Sequence, residues 1–191
     1  MSDATAKAAI LPAVGAECRE GRSSPLEAEI IELFDQMRER LLRYLRTFRL
    51  SAPDGEEVVQ ETFLALFQHL QRGRSRENLR GWLFRVAHNL ALKRLQRERR
   101  DPWYQTGAEA LPEDRIMDPA PSAEDEISRV QKKARLLAVL KALPEQDRRC
   151  LSLRAEGLRY RDIAQVLDMS LGAVALSLER SLARIARAAE R

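Results

Sequence analysis

The chain has 191 residues, 45% of them hydrophobic and only 5% aromatic, with a formal net charge of +4. That length admits one or two small domains, and cores built mainly from Leu, Ala, Val and Ile favour helices over sheets. Cys18 and Cys150, the only cysteines, make neither a disulfide framework nor a zinc cluster, His69 and His88 complete no metal-ligand spacing, and no apolar run approaches the ~20 residues of a membrane span.

The modest average charge conceals a segregation. Residues 71–100 carry ten Lys/Arg against two Asp/Glu, a net of +8, whereas residues 101–126 carry eight acids against one Arg, a net of −7. Such a basic block suits a polyanionic partner, or else forms a solvated helix face beside an acidic tether; charge alone leaves both open.

Residues 1–25 mix Ala, Gly, Ser and Pro without periodicity and are expected to form a mobile tail. The apolar core of this stretch is too short, and its leading positive charge too small, for a signal peptide, so a cytoplasmic location is expected. A first helix is predicted after Ser24, an N-cap residue followed by Pro25. Ile30, Phe34, Met37, Leu41, Leu45 and Phe48 then recur every three or four residues, with Arg38, Arg40, Arg43 and Arg46 on the wetter sides.

Residues 51–55 carry a turn signal, with Asp54 as the expected cap of a second helix. Its buried stripe is Val58, Val59, Thr62, Phe63, Leu66, Phe67 and Leu70; Glu56, Glu57, Gln60 and Glu61 take the opposite face. Residues 73–78 are polar and predict a loop. A third helix runs from about Leu79 to Arg99, with Leu83, Val86, Ala87, Leu90 and Ala91 inward. Trp82, Arg85, Asn89, Lys93 and Gln96 share its other face.

Residues 101–126 hold Pro102, Pro112, Pro119 and Pro121 and the acid excess, the composition of an extended linker. The predicted organisation is therefore all-α: a tail (1–25), a helical domain (26–100), an acidic linker (101–126) and a second helical domain (127–191). In the second domain Ile127, Val130, Ala134, Leu137 and Leu140 begin a helix. Leu143 and Pro144 restart the chain for another, which holds Cys150, Leu151 and Leu153 and stops at Gly157. A short helix from Tyr160 to Leu167, a tight break at residues 168–170 and a last helix capped by Ser170, through Val174, Leu178, Leu182 and Ile185, make a helix-turn-helix pattern. A plain helical hairpin gives a similar pattern.

These pieces resemble a known family. The runs DGEEVVQETF (54–63) and WLFRVAHN (82–89) resemble the central domain of bacterial sigma factors, and LPEQDR (143–148) and RDIAQVL (161–167) resemble their C-terminal DNA-binding domain. With only these two domains, the resemblance is to the extracytoplasmic-function (ECF) group of the sigma-70 family. It implies a dissociable subunit that brings core RNA polymerase to promoter DNA and helps to open the duplex, with no catalytic residues, cofactor or metal of its own. Many members are also restrained by an inhibitor protein, an anti-sigma factor.

The resemblance assigns Glu57, Gln60 and Glu61 to a polymerase clamp helix. It assigns Arg74, Arg76, Asn78, Trp82, Arg85, Asn89, Lys93 and Arg97 to the single strand of the −10 element. It assigns Arg159, Arg161, Ser170, Ala173, Ser177, Arg180 and Arg184 to the −35 element. The residue types suit the work. Cations hold backbone, an aromatic ring stacks on an unpaired base, and an amide reads a base edge. Trp82 fits a core position as well. The last helix departs from the family's usual Thr, Lys and Arg, presenting Ala173, Ala175 and Ser177 with apolar Leu171 and Leu176. That composition leaves open a weak, shape-driven −35 contact or a protein contact. A polymerase-independent helix-turn-helix regulator and a sigma-like interaction protein remain the competing functions.

Overall fold

The computed structural model of the protein describes residues 24–100 and 123–189, and among them every regular element is helical. The first bundle comprises α1 (Pro25–Leu45), a 3₁₀ turn (Arg46–Phe48), α2 (Ala52–Gln71) and α3 (Leu79–Arg100). The second comprises α4 (Ala123–Ala142), α5 (Glu145–Ala155), α6 (Tyr160–Leu167) and α7 (Leu171–Ala189). The expected tail and most of the expected linker lie outside the described residues.

Helix α1 starts where its sequence signal stands. The Glu27 amide donates to Ser24 Oγ at 3.2 Å, the Ser24 amide donates to Glu27 Oε2 at 2.9 Å, and Pro25 fills the first turn, a reciprocal cap. It ends sooner than its apolar period suggests. Residues 46–48 tighten into a 3₁₀ turn, and Arg49 takes a left-handed conformation (φ 59°) that turns the chain toward α2. The cap of α2 is Ser51 rather than Asp54: Ser51 Oγ accepts from the Asp54 amide at 3.3 Å, which puts Asp54 inside the first turn, free to bind Arg94.

Met37, Leu41, Tyr44 and Leu45 of α1 close on Val58, Val59, Phe63, Leu66 and Leu70 of α2, and on Leu83, Phe84, Ala87 and Ala91 of α3. Val86 and Leu90, expected inward, stand only half-buried at the rim. Burial of such a set supplies most of the stabilisation, about 1.5–3 kcal/mol for each large side chain. One polar pair lies within it. His88, 7% exposed, meets the Tyr44 hydroxyl through Nδ1 at 2.7 Å. Burial, with a smaller contribution from the Arg149 charge, lowers the imidazole's pKa to about 4. The ring is therefore neutral at pH 7, and the tautomer sets which of the phenol and Nδ1 donates.

The second bundle packs Leu143, Cys150, Leu153, Leu158, Ile163, Val166, Val174 and Leu178. Burial raises the Cys150 thiol above its ordinary pKa, so this side chain behaves as a small hydrophobe. Gly157 takes φ +80° immediately beyond α5 and ends it as expected, and α6 spans the residues its pattern predicts. Not every apolar residue of the predicted periods is buried. Val130 is 62% exposed and Ala134 is exposed on α4, and Leu182 is 55% exposed, because the buried stripe of α7 runs through Val174, Ser177, Leu178 and Ser181. Helix α4 begins at Ala123, ahead of the predicted Ile127.

The two bundles share one continuous apolar core. Helix α6 lies against α3, and α5 lies against α1 and the 3₁₀ turn. The junction is also polar. Glu156, just past α5, is 7% exposed and receives Arg40 Nε at 3.0 Å and Arg43 Nε at 2.8 Å from α1. Arg40 Nη2 adds a bond to the Glu156 carbonyl at 2.5 Å. Burial alone would raise the pKa of the Glu156 carboxyl, but the bonds and charges of Arg43 and Arg40 outweigh it and hold the carboxyl below the usual carboxylate range. The Arg149 guanidinium stacks over the Phe48 ring, 4.3 Å from its centroid.

Candidate nucleic-acid interface

Helix geometry sets the first site. Arg85, Asn89, Lys93 and Arg97 follow one another at intervals of four, and all four are exposed on the face of α3 opposite the core. Three cations spaced along one exposed face, with an amide among them, can hold a phosphodiester backbone and offer a donor and an acceptor to a base. Trp82 begins this face but is half-buried. Its ring packs on His69 of α2 at 4.7 Å between centroids, tilted by 42°. His69 Nε2 in turn lies 3.0 Å from the Ser75 carbonyl, so the indole and imidazole together form a shelf under the 72–78 loop.

That loop turns through Gly73 (φ +65°) and Asn78 (φ +51°), residue types that tolerate the left-handed region. Arg74 is exposed, and Arg76 reaches back to Glu29 at 2.6 Å. Asn78 caps α3, accepting from the Gly81 amide at 3.2 Å. A Cβ at Gly81 would stand 2.6 Å from the Asn78 side chain, so a larger residue there would displace this cap. The other end of the Asn78 amide donates to Asp162 Oδ1 at 2.8 Å, across the junction between the bundles. Nothing in the local sequence signals this contact, because the two residues lie 84 positions apart.

The acidic candidates form a second exposed face, on α2. Gln60 and Glu61 are exposed beside Leu64, itself 58% exposed. Glu57 is exposed as well but shares Arg94 with Asp54, at 2.6 Å for the Glu57 contact. Arg94 is thus turned toward α2 and away from the α3 stripe.

In the second bundle Asp168 (φ 53°) makes the turn between α6 and α7, and Ser170 Oγ accepts from the Ala173 amide at 3.1 Å. Ser170 is therefore a helix cap. Arg159 and Arg161 are exposed at the front of α6, and Arg184 is exposed late in α7. Ser177 requires a correction. It is 0% exposed, and its hydroxyl donates to Asp147 Oδ1 at 2.8 Å, so in this fold it presents nothing to a groove. Arg180 is held at 3.1 Å by the same oxygen, and Ala173 is half-buried. The exposed surface of α7 instead carries Leu171 (54%) and Leu176 (58%).

The chain matches two family profiles, Sigma-70 region 2 over residues 33–101 and Sigma-70, region 4 over residues 133–185. It is 30% identical over 154 residues to the RNA polymerase sigma-H factor of Pseudomonas aeruginosa, covering 78% of this chain and 80% of that protein. The chain belongs to the sigma-70 family, in its ECF group. The ECF RNA polymerase sigma factor SigE of Mycolicibacterium smegmatis is 33% identical over 152 residues; the alignment covers 78% of this chain but spans little more than half, 57%, of SigE. Among solved structures, that of CnrH in complex with the cytosolic domain of CnrY resembles this fold with a TM-score of 0.54 at 24% identity, covering 84% of this chain and 86% of CnrH. In this sigma-70 family chain, the α3 stripe and the α2 acidic face belong to the region 2 match, and the helix-turn-helix belongs to the region 4 match.

Proposed function

We propose that this ECF-group chain directs core RNA polymerase to promoters: α2 docks on the polymerase through Gln60, Glu61 and the flank of Glu57, while α3 and the 72–78 loop hold the separated −10 strand. The observation that carries this reading is the display of two opposed chemistries on adjacent helices of one bundle, cationic on α3 and acidic on α2. Exposed carboxylates beside an apolar Leu64 suit a partner helix bearing Arg. Arg85, Lys93 and Arg97 offset the few kcal/mol that unstacking a base costs by gripping its backbone. Arg74, Arg76 and Asn78 line the loop that would receive that base, above the Trp82–His69 shelf.

The −35 contact in this reading is a backbone grip by Arg159 and Arg161, with Arg184 farther along, rather than direct base readout by α7. Shape and deformability would then set its selectivity. The chain acts as an initiation factor and not as an enzyme, and works in the cytoplasm with the polymerase. CnrH is solved in complex with a protein partner, CnrY, and its likeness to this fold supports an inhibitor protein as a further partner here.

The test is transcription in vitro. Purified core polymerase with this protein, run on a panel of genomic fragments, should give discrete transcripts that core alone does not. Absence of any such transcript, with no gain in promoter binding, overturns the reading.

A further inference from the structure

A cleft of 770 Å³ opens where the bundles meet, lined by Asn78 and Arg80 of the first and by Arg159, Arg161, Asp162 and Gln165 of the second. It holds three guanidinium groups against one carboxylate. That carboxylate is already engaged: Asp162 Oδ1 accepts from Asn78, and Oδ2 accepts from the Arg159 amide at 3.3 Å.

Arg80 is the unusual member. Its side chain passes over Gly157, where an added Cβ would lie 3.0 Å from Nη2, so the glycine leaves room for the guanidinium. Its Nε is buried without a hydrogen-bond partner. Burial, and next the neighbouring charge of Arg40, lower its pKa, while Glu156 and Asp162 compensate only in part. A guanidinium nitrogen withdrawn from water without an acceptor is costly, and guanidinium groups bind a planar or tetrahedral oxyanion best through two donors.

We infer that the inter-bundle cleft binds a compact phosphoanion, a diphosphate-type group, between Arg80 of α3 and Arg159 and Arg161 of α6. Asn78 and Gln165 supply neutral amide donors at its edges. A bound anion would tie α3 to α6, so it would favour the closed arrangement of the two bundles. A DNA backbone phosphate offers the same oxygens, and the oligonucleotide arm of the test separates it from the small anion. This inference requires neither polymerase nor promoter, so its failure would leave the proposed function standing.

The test uses the full chain and inorganic pyrophosphate at constant ionic strength, by calorimetric titration and thermal melting, with a single-stranded oligonucleotide titrated separately. Pyrophosphate should bind and raise the melting temperature beyond an ionic-strength-matched chloride control. Arg80→Leu and, because it alters only an exposed side chain, Arg161→Ala should each weaken binding by about tenfold or more, the range for one charge-assisted hydrogen bond. Circular dichroism checks that both variants fold. Equal pyrophosphate affinity in the wild type and both variants, or no binding beyond the chloride control, overturns the inference. So does Arg80-dependent binding of the oligonucleotide alone, which would assign the cleft to DNA backbone.

Discussion

Asn78 donates a 2.8 Å hydrogen bond to Asp162, and that bond joins the loop that precedes α3 to the first turn of the helix-turn-helix. A residue expected to meet an unpaired base is therefore occupied by the other bundle in the closed arrangement. Asp162→Ala removes the acceptor and also the cap on the Arg159 amide. The variant should lose about 1 kcal/mol of stability, as for other cap deletions, and should bind single-stranded −10 DNA more tightly in fluorescence anisotropy. Unchanged DNA affinity would show that the bond does not restrain the loop.

Glu156 carries the larger junction. Arg40 and Arg43 converge on it from α1, and its side chain is only 8% exposed while those of the arginines are 31% and 47% exposed. Removing one partner of a buried pair is usually more damaging than the pair is worth, but the arginines' exposure moderates the cost. Glu156→Gln should lower unfolding stability by roughly 1–3 kcal/mol. It should also increase the radius of gyration in X-ray scattering as the bundles separate. An unaltered scattering profile would mean that the apolar junction alone holds them.

His88 makes the fold acid-sensitive. Its pKa falls from 6.5 to about 4 in the folded chain. Between those values the unfolded chain binds more protons than the folded one, so stability is intact above pH 6.5 and declines as pH drops toward 4. The loss should reach roughly 1–2 kcal/mol after allowance for partial solvent screening. Denaturant unfolding at pH 7.5 and pH 5, compared between wild type and His88→Gln, checks it: the variant should show the shallower pH dependence in this range.

Ser177 separates structure from recognition. Ser177→Ala removes one of the donors to buried Asp147 and should cost about 1 kcal/mol. Footprints over the −35 element should not change. Arg161→Ala should do the reverse, weakening upstream DNA binding and flattening its salt dependence while leaving the melting temperature of the unliganded chain nearly unaltered.

Glu61→Lys should weaken association with core polymerase in a pull-down or titration while leaving helicity intact, because Glu61 is exposed on α2. Glu57→Lys should do so with an added loss of stability, since it places a second cation against Arg94. If Glu61→Lys leaves polymerase affinity unchanged, α2 is not the docking face.

Much of this was legible in one dimension. Ser24 with Glu27, the apolar stripe of α2, the outer face of α3 and the span of α6 all depend on contacts within four residues, and such contacts obey helical period and cap chemistry. The assignment of Ser177 to a groove failed for a different reason. A hydroxyl on an amphipathic helix suits either face, and only the position of Asp147 on α5 drew it inward. Val130 and Leu182, members of the predicted apolar periods, stay exposed because apolar character allows burial but does not supply a neighbour.

By itself the sequence determined the helical character of the two described bundles, most of the periodic faces, the basic and acidic segregation and the turns that separate the helices. Tertiary structure alone decided which charges are spent. It set Glu156 between Arg40 and Arg43, gave Asp162 to Asn78, and left Arg80 in a cleft with its Nε unpartnered. The physical reason is range: helical period acts over a turn or two, whereas these charges meet across more than 70 residues of chain, and only the packing of one bundle on the other brings them within hydrogen-bond distance.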